Sequence, residues 1–141
     1  MIPSLLVITC TRDDTKTCLG LRSLDRTIEF ALQALSAEAP RYARWLVVLS
    51  DMFGGDQAKG DKARELLKNS NVNFIFINSA EAGGFWRDKA EKRAEMQKNV
   101  DAYVGTAGCT AQELQAGSAV EMTQSFVKVS HMMVAGFQEQ L

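Results

Sequence analysis

Three short apolar runs constrain this chain more than anything else in it. Residues 5–9 (LLVIT), 45–49 (WLVVL) and 72–77 (VNFIFI) are rich in branched and aromatic side chains. The first two are near-continuous in apolar character, as expected of strands covered on both faces of a parallel sheet. A weaker run at 102–104 (AYV) completes a set of four expected strands.

The segments between these runs carry helical spacing. From Leu21 onward, Leu24, Ile28, Leu32 and Leu35 recur every three or four residues until Pro40 closes the segment. Residues 61–69 (DKARELLKN) begin with a capping Asp, and residues 88–99 (DKAEKRAEMQKN) form a heavily charged helix. Ser118 and Glu121 have capping-box spacing and open a long final helix reaching towards Gln140. Strands alternating with helices imply right-handed crossovers. The expected fold is a three-layer α/β/α sandwich with a mostly parallel, Rossmann-like sheet. With 141 residues, neither an internal repeat nor a linker, the chain reads as one domain, residues 1–141.

Charge excludes some functions. Sixteen Lys plus Arg against seventeen Asp plus Glu gives a net charge of −1, so nothing favours nucleic acid or an anionic membrane surface. No apolar run approaches the roughly 20 residues needed to span a bilayer. The start has no basic region of a signal peptide, and Cys10, Cys18 and Cys109 lack CxxC spacing. Reduced thiols in a cytoplasm are therefore expected. The first strand begins almost at once, which leaves room for an upstream element lost or cut away.

In an open parallel sheet, ligands gather beyond the carboxyl ends of the strands, near a switch in strand order. Those ends are expected to deliver Cys10 to Thr17, then Ser50, Asp51 and Asp56, then Asn78, Ser79 and Glu81, and lastly Thr106, Cys109 and Thr110. Asp51 follows WLVVL directly and precedes Gly54 and Gly55, so it can point into the crevice or cap the next turn. Asp13, Thr15 and Thr17 alternate a carboxylate with two hydroxyls, hard oxygen donors of the kind magnesium takes.

At these residues the chain resembles von Willebrand factor A-type domains. The string Trp45-Leu46-Val47-Val48-Leu49-Ser50-Asp51-Met52 is similar to their strand and "SDG" loop, with Met52 where the family carries glycine. Thr17 and the helix from Leu21 to Leu35 resemble their threonine loop and the helix after it. The resemblance implies a non-catalytic protein-interaction module holding a divalent cation. Asp51 would match the Asp of "SDG", and Thr15 or Thr17 the distant Thr. If residues 5–9 are the family's first strand, Asp13, Thr15 and Thr17 supply a variant of its Asp-x-Ser-x-Ser loop.

An enzymatic alternative stays open. The Asp13–Asp14 pair, Asp51 and Ser79 resemble the acidic pair, phosphoacceptor and hydroxyl of receiver domains, although 102–108 lacks their lysine. Cys10, Lys16 and Thr17 have the C-x5-[RK]-T spacing of a phosphatase loop, with lysine in place of the bidentate arginine. A small hydrolase or phosphotransfer domain would then use Asp51 with Cys10 or Asp13.

Three further features concern partners. Met122, Phe126, Val129, Met133 and Phe137 form a stripe on the final helix, continued by Val134 and Leu141. That stripe covers the sheet or pairs with a second copy in a homodimer, the helix being long enough to overhang short strands. Gly83-Gly84-Phe85-Trp86 suggests a mobile loop whose aromatics fold back on the core or meet a partner. His131, the sole histidine, has a packing or surface role.

Overall fold

The computed structural model describes residues 4–11, 23–37, 43–56 and 58–139. Four strands, β1 (Ser4–Cys10), β2 (Arg44–Ser50), β3 (Val72–Asn78) and β4 (Ala111–Gln115), alternate with four helices. These are α1 (Leu24–Ser36), α2 (Asp61–Asn69), α3 (Ala90–Thr106) and α4 (Ala119–Glu139). All pairings are parallel and the sheet order is β1-β2-β3-β4. The expected α/β sandwich is present.

Strand order follows chain order with no switch, so the crevice anticipated at a reversal has no counterpart in the described sheet. The physical reason is handedness: successive right-handed crossovers in one direction place α1, α2 and α3 on the same face. Ile8, Leu46, Val48, Phe74 and Phe76 pack against that layer together with Leu24, Ile28, Leu67, Val100 and Tyr103. The alternate residues Trp45, Val47, Ile75, Ile77 and Leu114 point the other way, to α4. Each such fully buried aliphatic contributes about 1.5–3 kcal/mol.

Residues 102–104 are not a strand. They lie in the last turns of α3, where Met96, Val100 and Tyr103 form the buried face at helical spacing. Tertiary burial of that stripe outweighs the strand preference of Tyr and Val in a three-residue window. The fourth strand is Ala111–Gln115 (AQELQ), a largely polar segment in which only Leu114 is buried.

Helix α4 starts where expected. The Ser118 hydroxyl accepts the Glu121 N–H at 3.2 Å, and the Ser125 hydroxyl pins the helix to the Gln115 carbonyl at 2.9 Å. Its 21 residues span about 32 Å at 1.5 Å per residue, against about 23 Å for the seven-residue strands. The overhang is smaller than expected. A Cβ at Gly136 would lie 3.8 Å from the Trp45 ring, so α4 still passes over the amino end of β2 near its own last turn. No helix among the described residues is long and apolar enough to cross a membrane.

Candidate functional site

At the carboxyl end of β2 the backbone turns sharply under local hydrogen bonds. The Ser50 hydroxyl accepts the Met52 N–H at 3.0 Å, and Asp51 Oδ1 accepts the Phe53 N–H at 3.0 Å. These Asx-type bonds hold the turn in place of a continued ladder. Met52 adopts φ +70° with its side chain fully buried, the one described non-glycine residue in the left-handed region. Such a conformation costs a side-chain-bearing residue about 1–2 kcal/mol, and glycine adopts it freely.

The loop after β3 closes over this turn. Trp86 is buried, and its indole N–H donates to the Asp51 carbonyl at 2.7 Å. Phe85 stands edge-on to Trp86 (centroids 4.9 Å apart) and to Phe53 (5.7 Å), with ring planes near perpendicular in both pairs. Lys89 places its ammonium 4.4 Å from the Phe85 ring centre and donates to the Phe85 carbonyl. Of the two roles open to this segment, Trp86 takes the first, folded back on the core.

Between β3 and β4 the polar groups satisfy one another. Glu113 accepts from the side-chain amides of Gln97 (2.8 Å), Asn78 (2.9 Å) and Gln115 (3.0 Å). Asn78 Oδ1 in turn accepts the Ala80 N–H, which fixes the exit from β3. Glu81 pairs with Arg93 at 2.7 Å on the surface.

Beneath the β2–α2 loop lies a buried polar brace. Asp25, on the first turn of α1, is 1% exposed. Its carboxylate accepts the Tyr103 hydroxyl at 2.5 Å, the Asn99 amide at 3.0 Å and the Asp56 backbone N–H at 2.7 Å. Asn99 also accepts from Arg64, whose guanidinium pairs with Asp61. Burial, and then the Asp25 charge beside it, raises the Tyr103 hydroxyl far above the ordinary tyrosine pKa. Tyr103 is therefore a fixed donor at any working pH. Gly60 admits this close packing: a Cβ there would sit 2.9 Å from Asp25 Oδ1 and 3.1 Å from the Tyr103 oxygen. The brace joins α1, α2 and α3 to Asp56 of the β2–α2 loop, and its outer members Asp56, Asp61 and Arg64 help to line a cleft of about 640 Å³.

Of the four residues read as a metal set, Asp51 stands at the carboxyl edge as expected. Asp13, Thr15 and Thr17 lie outside the described residues. Among the described residues no three His, Cys, Asp or Glu side chains converge as a metal set. Two expectations need correction. Cys10 is disulfide-bonded and almost fully buried, so it is neither a reduced thiol nor a nucleophile, and the thiol argument for a cytoplasm loses its premise. Thr106, Cys109 and Thr110 precede β4 rather than follow it, which puts them at the amino edge of the sheet, away from Asp51. Cys109 is a free thiol there, and His131 is exposed on α4.

The sequence reading missed Asp25, Asn99 and Tyr103. One signal was available: Asp25 falls in register with Ile28, Leu32 and Leu35, a polar residue on an apolar stripe. Compared with family models, with curated proteins and with solved structures, the chain finds no match. Chemically, the carboxyl edge presents a braced turn, a carboxylate at a strand end and an aromatic wall, an arrangement suited to holding a ligand in place.

Proposed function

We propose that this chain is a non-catalytic binding module of the von Willebrand A-like type, which engages a protein partner with the carboxyl edge of its sheet. In this reading Asp51, with Asp13, Thr15 and Thr17, holds a magnesium ion at that edge. The carrying observation is a tether. The segment bearing Asp13, Thr15 and Thr17 leaves β1 at Cys10, which pairs in register with Ser50. It rejoins the described chain at Ser23, and the Leu24 N–H donates to the Gly54 carbonyl at 3.3 Å. Both ends of that segment are thus fastened to the loop of Asp51.

Two facts add support. Met52, where the resemblance places glycine, has the positive φ that glycine favours. A carboxylate and hydroxyls are the hard oxygen donors magnesium prefers, and the bound ion would supply a positive centre for a partner's carboxylate. The hydrolase alternative loses Cys10, whose sulfur is committed to a disulfide. A screen with phosphate esters and acyl phosphates tests the non-catalytic part, since turnover that falls on Asp51→Asn would overturn it. Magnesium titration tests the rest.

The module also offers a surface for self-association. Met122, Phe126, Met132 and Met133 pack against the sheet around Val129, so that part of the stripe is core. Val120, Val127 and Val134 remain 66%, 49% and 55% exposed on α4, at seven-residue spacing. That spacing aligns them in one row, the kind of seam two antiparallel helices share across a twofold axis. We propose a homodimer through this row. The Phe137 side chain and Leu141, expected to extend it, lie outside the described residues.

A further inference from the structure

We infer that the valine row of α4 lies across Leu5 and Val7 of β1 in a second copy of this chain, the two α4 helices sharing one layer between two sheets. This deepens the homodimer reading, rests on it, and names what the valine row meets. The covering of the sheet is uneven. α1, α2 and α3 lie on one face, and α4 is the one described helix on the other, packed against β3 and β4. β1 lies two strand spacings from β3, about 10 Å, which is the width of one helix. Beside α4 that face therefore has room for one more helix.

Leu5 and Val7 stand at that place. They pair in register with Trp45 and Val47, which face α4, and they remain 48% and 45% exposed. All of β1, Ser4–Cys10, is without a charged residue, although an edge strand is commonly guarded by one. The outer side of α4 matches it. Helical spacing puts Val120, Val127 and Val134 opposite Ser125, Val129 and Met132, so the row points away from its own sheet. From Ala119 to Val134 only Glu121 and Lys128 are charged, whereas α3 carries Glu91, Lys92, Arg93, Glu95, Lys98 and Asp101. A helix whose outer side stays in water keeps charges there, as α3 does.

Area favours a second copy as the occupant. If α4 met only α4, a strip about 32 Å long and about 10 Å wide would be hidden on each helix, about 600 Å² in all. A specific interface needs about 1,200 Å² or more. With α4 also lying on β1 of the other copy, along about 23 Å of strand and twice over by symmetry, about 1,500 Å² is hidden. One twofold axis makes both contacts together, because the row of each copy meets the strand of the other. A different protein would have to cover row and strand with two surfaces of its own.

The test is cross-linking between full-length chains. In a Cys109→Ser background, which removes the free thiol, Val7→Cys and Val127→Cys are made separately and treated with a short bismaleimide at micromolar concentration. An equal mixture of the two should give a covalent dimer, and neither variant alone should. Val127→Cys linking to itself as fully as in the mixture would show row against row and overturn the inference, as would Val7→Cys linking to itself. Val7→Glu gives a second readout, since by light scattering it should be a monomer with unchanged far-ultraviolet circular dichroism. A dimeric Val7→Glu beside a monomeric Val127→Glu would overturn the inference and leave the homodimer standing. A monomeric unaltered chain would remove the homodimer itself, and this inference with it.

Discussion

The indole N–H of Trp86 donates to the main-chain carbonyl of Asp51 at 2.7 Å, fastening the loop after β3 onto the turn after β2. That carbonyl belongs to the residue on which the proposed site depends, so the bond sets loop position as well as stability. Trp86→Phe keeps an aromatic in the core and removes the donor. The expected cost is about 0.5–1.5 kcal/mol, the net contribution of one hydrogen bond. Denaturant midpoints measure the loss, and amide exchange across residues 79–89 should quicken before the strands do.

Tyr103 is the donor to the buried Asp25 carboxylate, and Tyr103→Phe should destabilise the fold by about 1–3 kcal/mol. Its titration gives a second readout. Burial and the neighbouring Asp25 raise the folded-state pKa, while the unfolded chain ionises near the ordinary value of about 10. Above that pH the unfolded state has lost a proton that the folded state keeps, so stability falls as pH rises. Urea unfolding at increasing alkaline pH should show this decline in the unaltered chain and a shallower one in Tyr103→Phe.

Met52 separates strain from packing. Met52→Ala deletes a buried side chain, at about 2–5 kcal/mol, and keeps a Cβ in the left-handed region. Met52→Gly deletes the Cβ as well and relieves about 1–2 kcal/mol of backbone strain. Glycine normally ranks below alanine by about 0.5–1 kcal/mol in regular structure. Here the order should reverse, with Met52→Gly the more stable of the two by urea midpoint.

Self-association should pass through the valine row of α4. Light scattering at micromolar concentration is expected to report a dimer for the unaltered chain and a monomer for Val127→Glu. A substitution at Met133, which packs on the sheet, should instead lower stability in both forms. A monomeric unaltered chain would remove this part of the proposal.

Much of the fold was legible because its central strands are apolar on both faces and its helices carry clean stripes. β4 was not legible. Glu113 and Gln115 satisfy themselves against Asn78 and Gln97, so the strand needs few apolar residues, and only Leu114 is buried. The run at 102–104 misled because a three-residue window cannot show that Tyr103 continues the period of Met96 and Val100. The site was legible only in part. Asp51 betrays itself by following an apolar run, but the brace joins Asp25 to residues 74 and 78 positions away, a pairing only the folded chain makes visible.

The central claim is a magnesium-holding carboxyl edge built around Asp51. Isothermal titration of the full chain with magnesium chloride tests it most directly, beside Asp51→Asn, which keeps an oxygen to accept the Phe53 N–H and removes the charge. The account predicts a saturable heat for the unaltered chain and its loss in Asp51→Asn, with both proteins equally folded by circular dichroism. Saturable heats of the same size in both, or none in either, would contradict it.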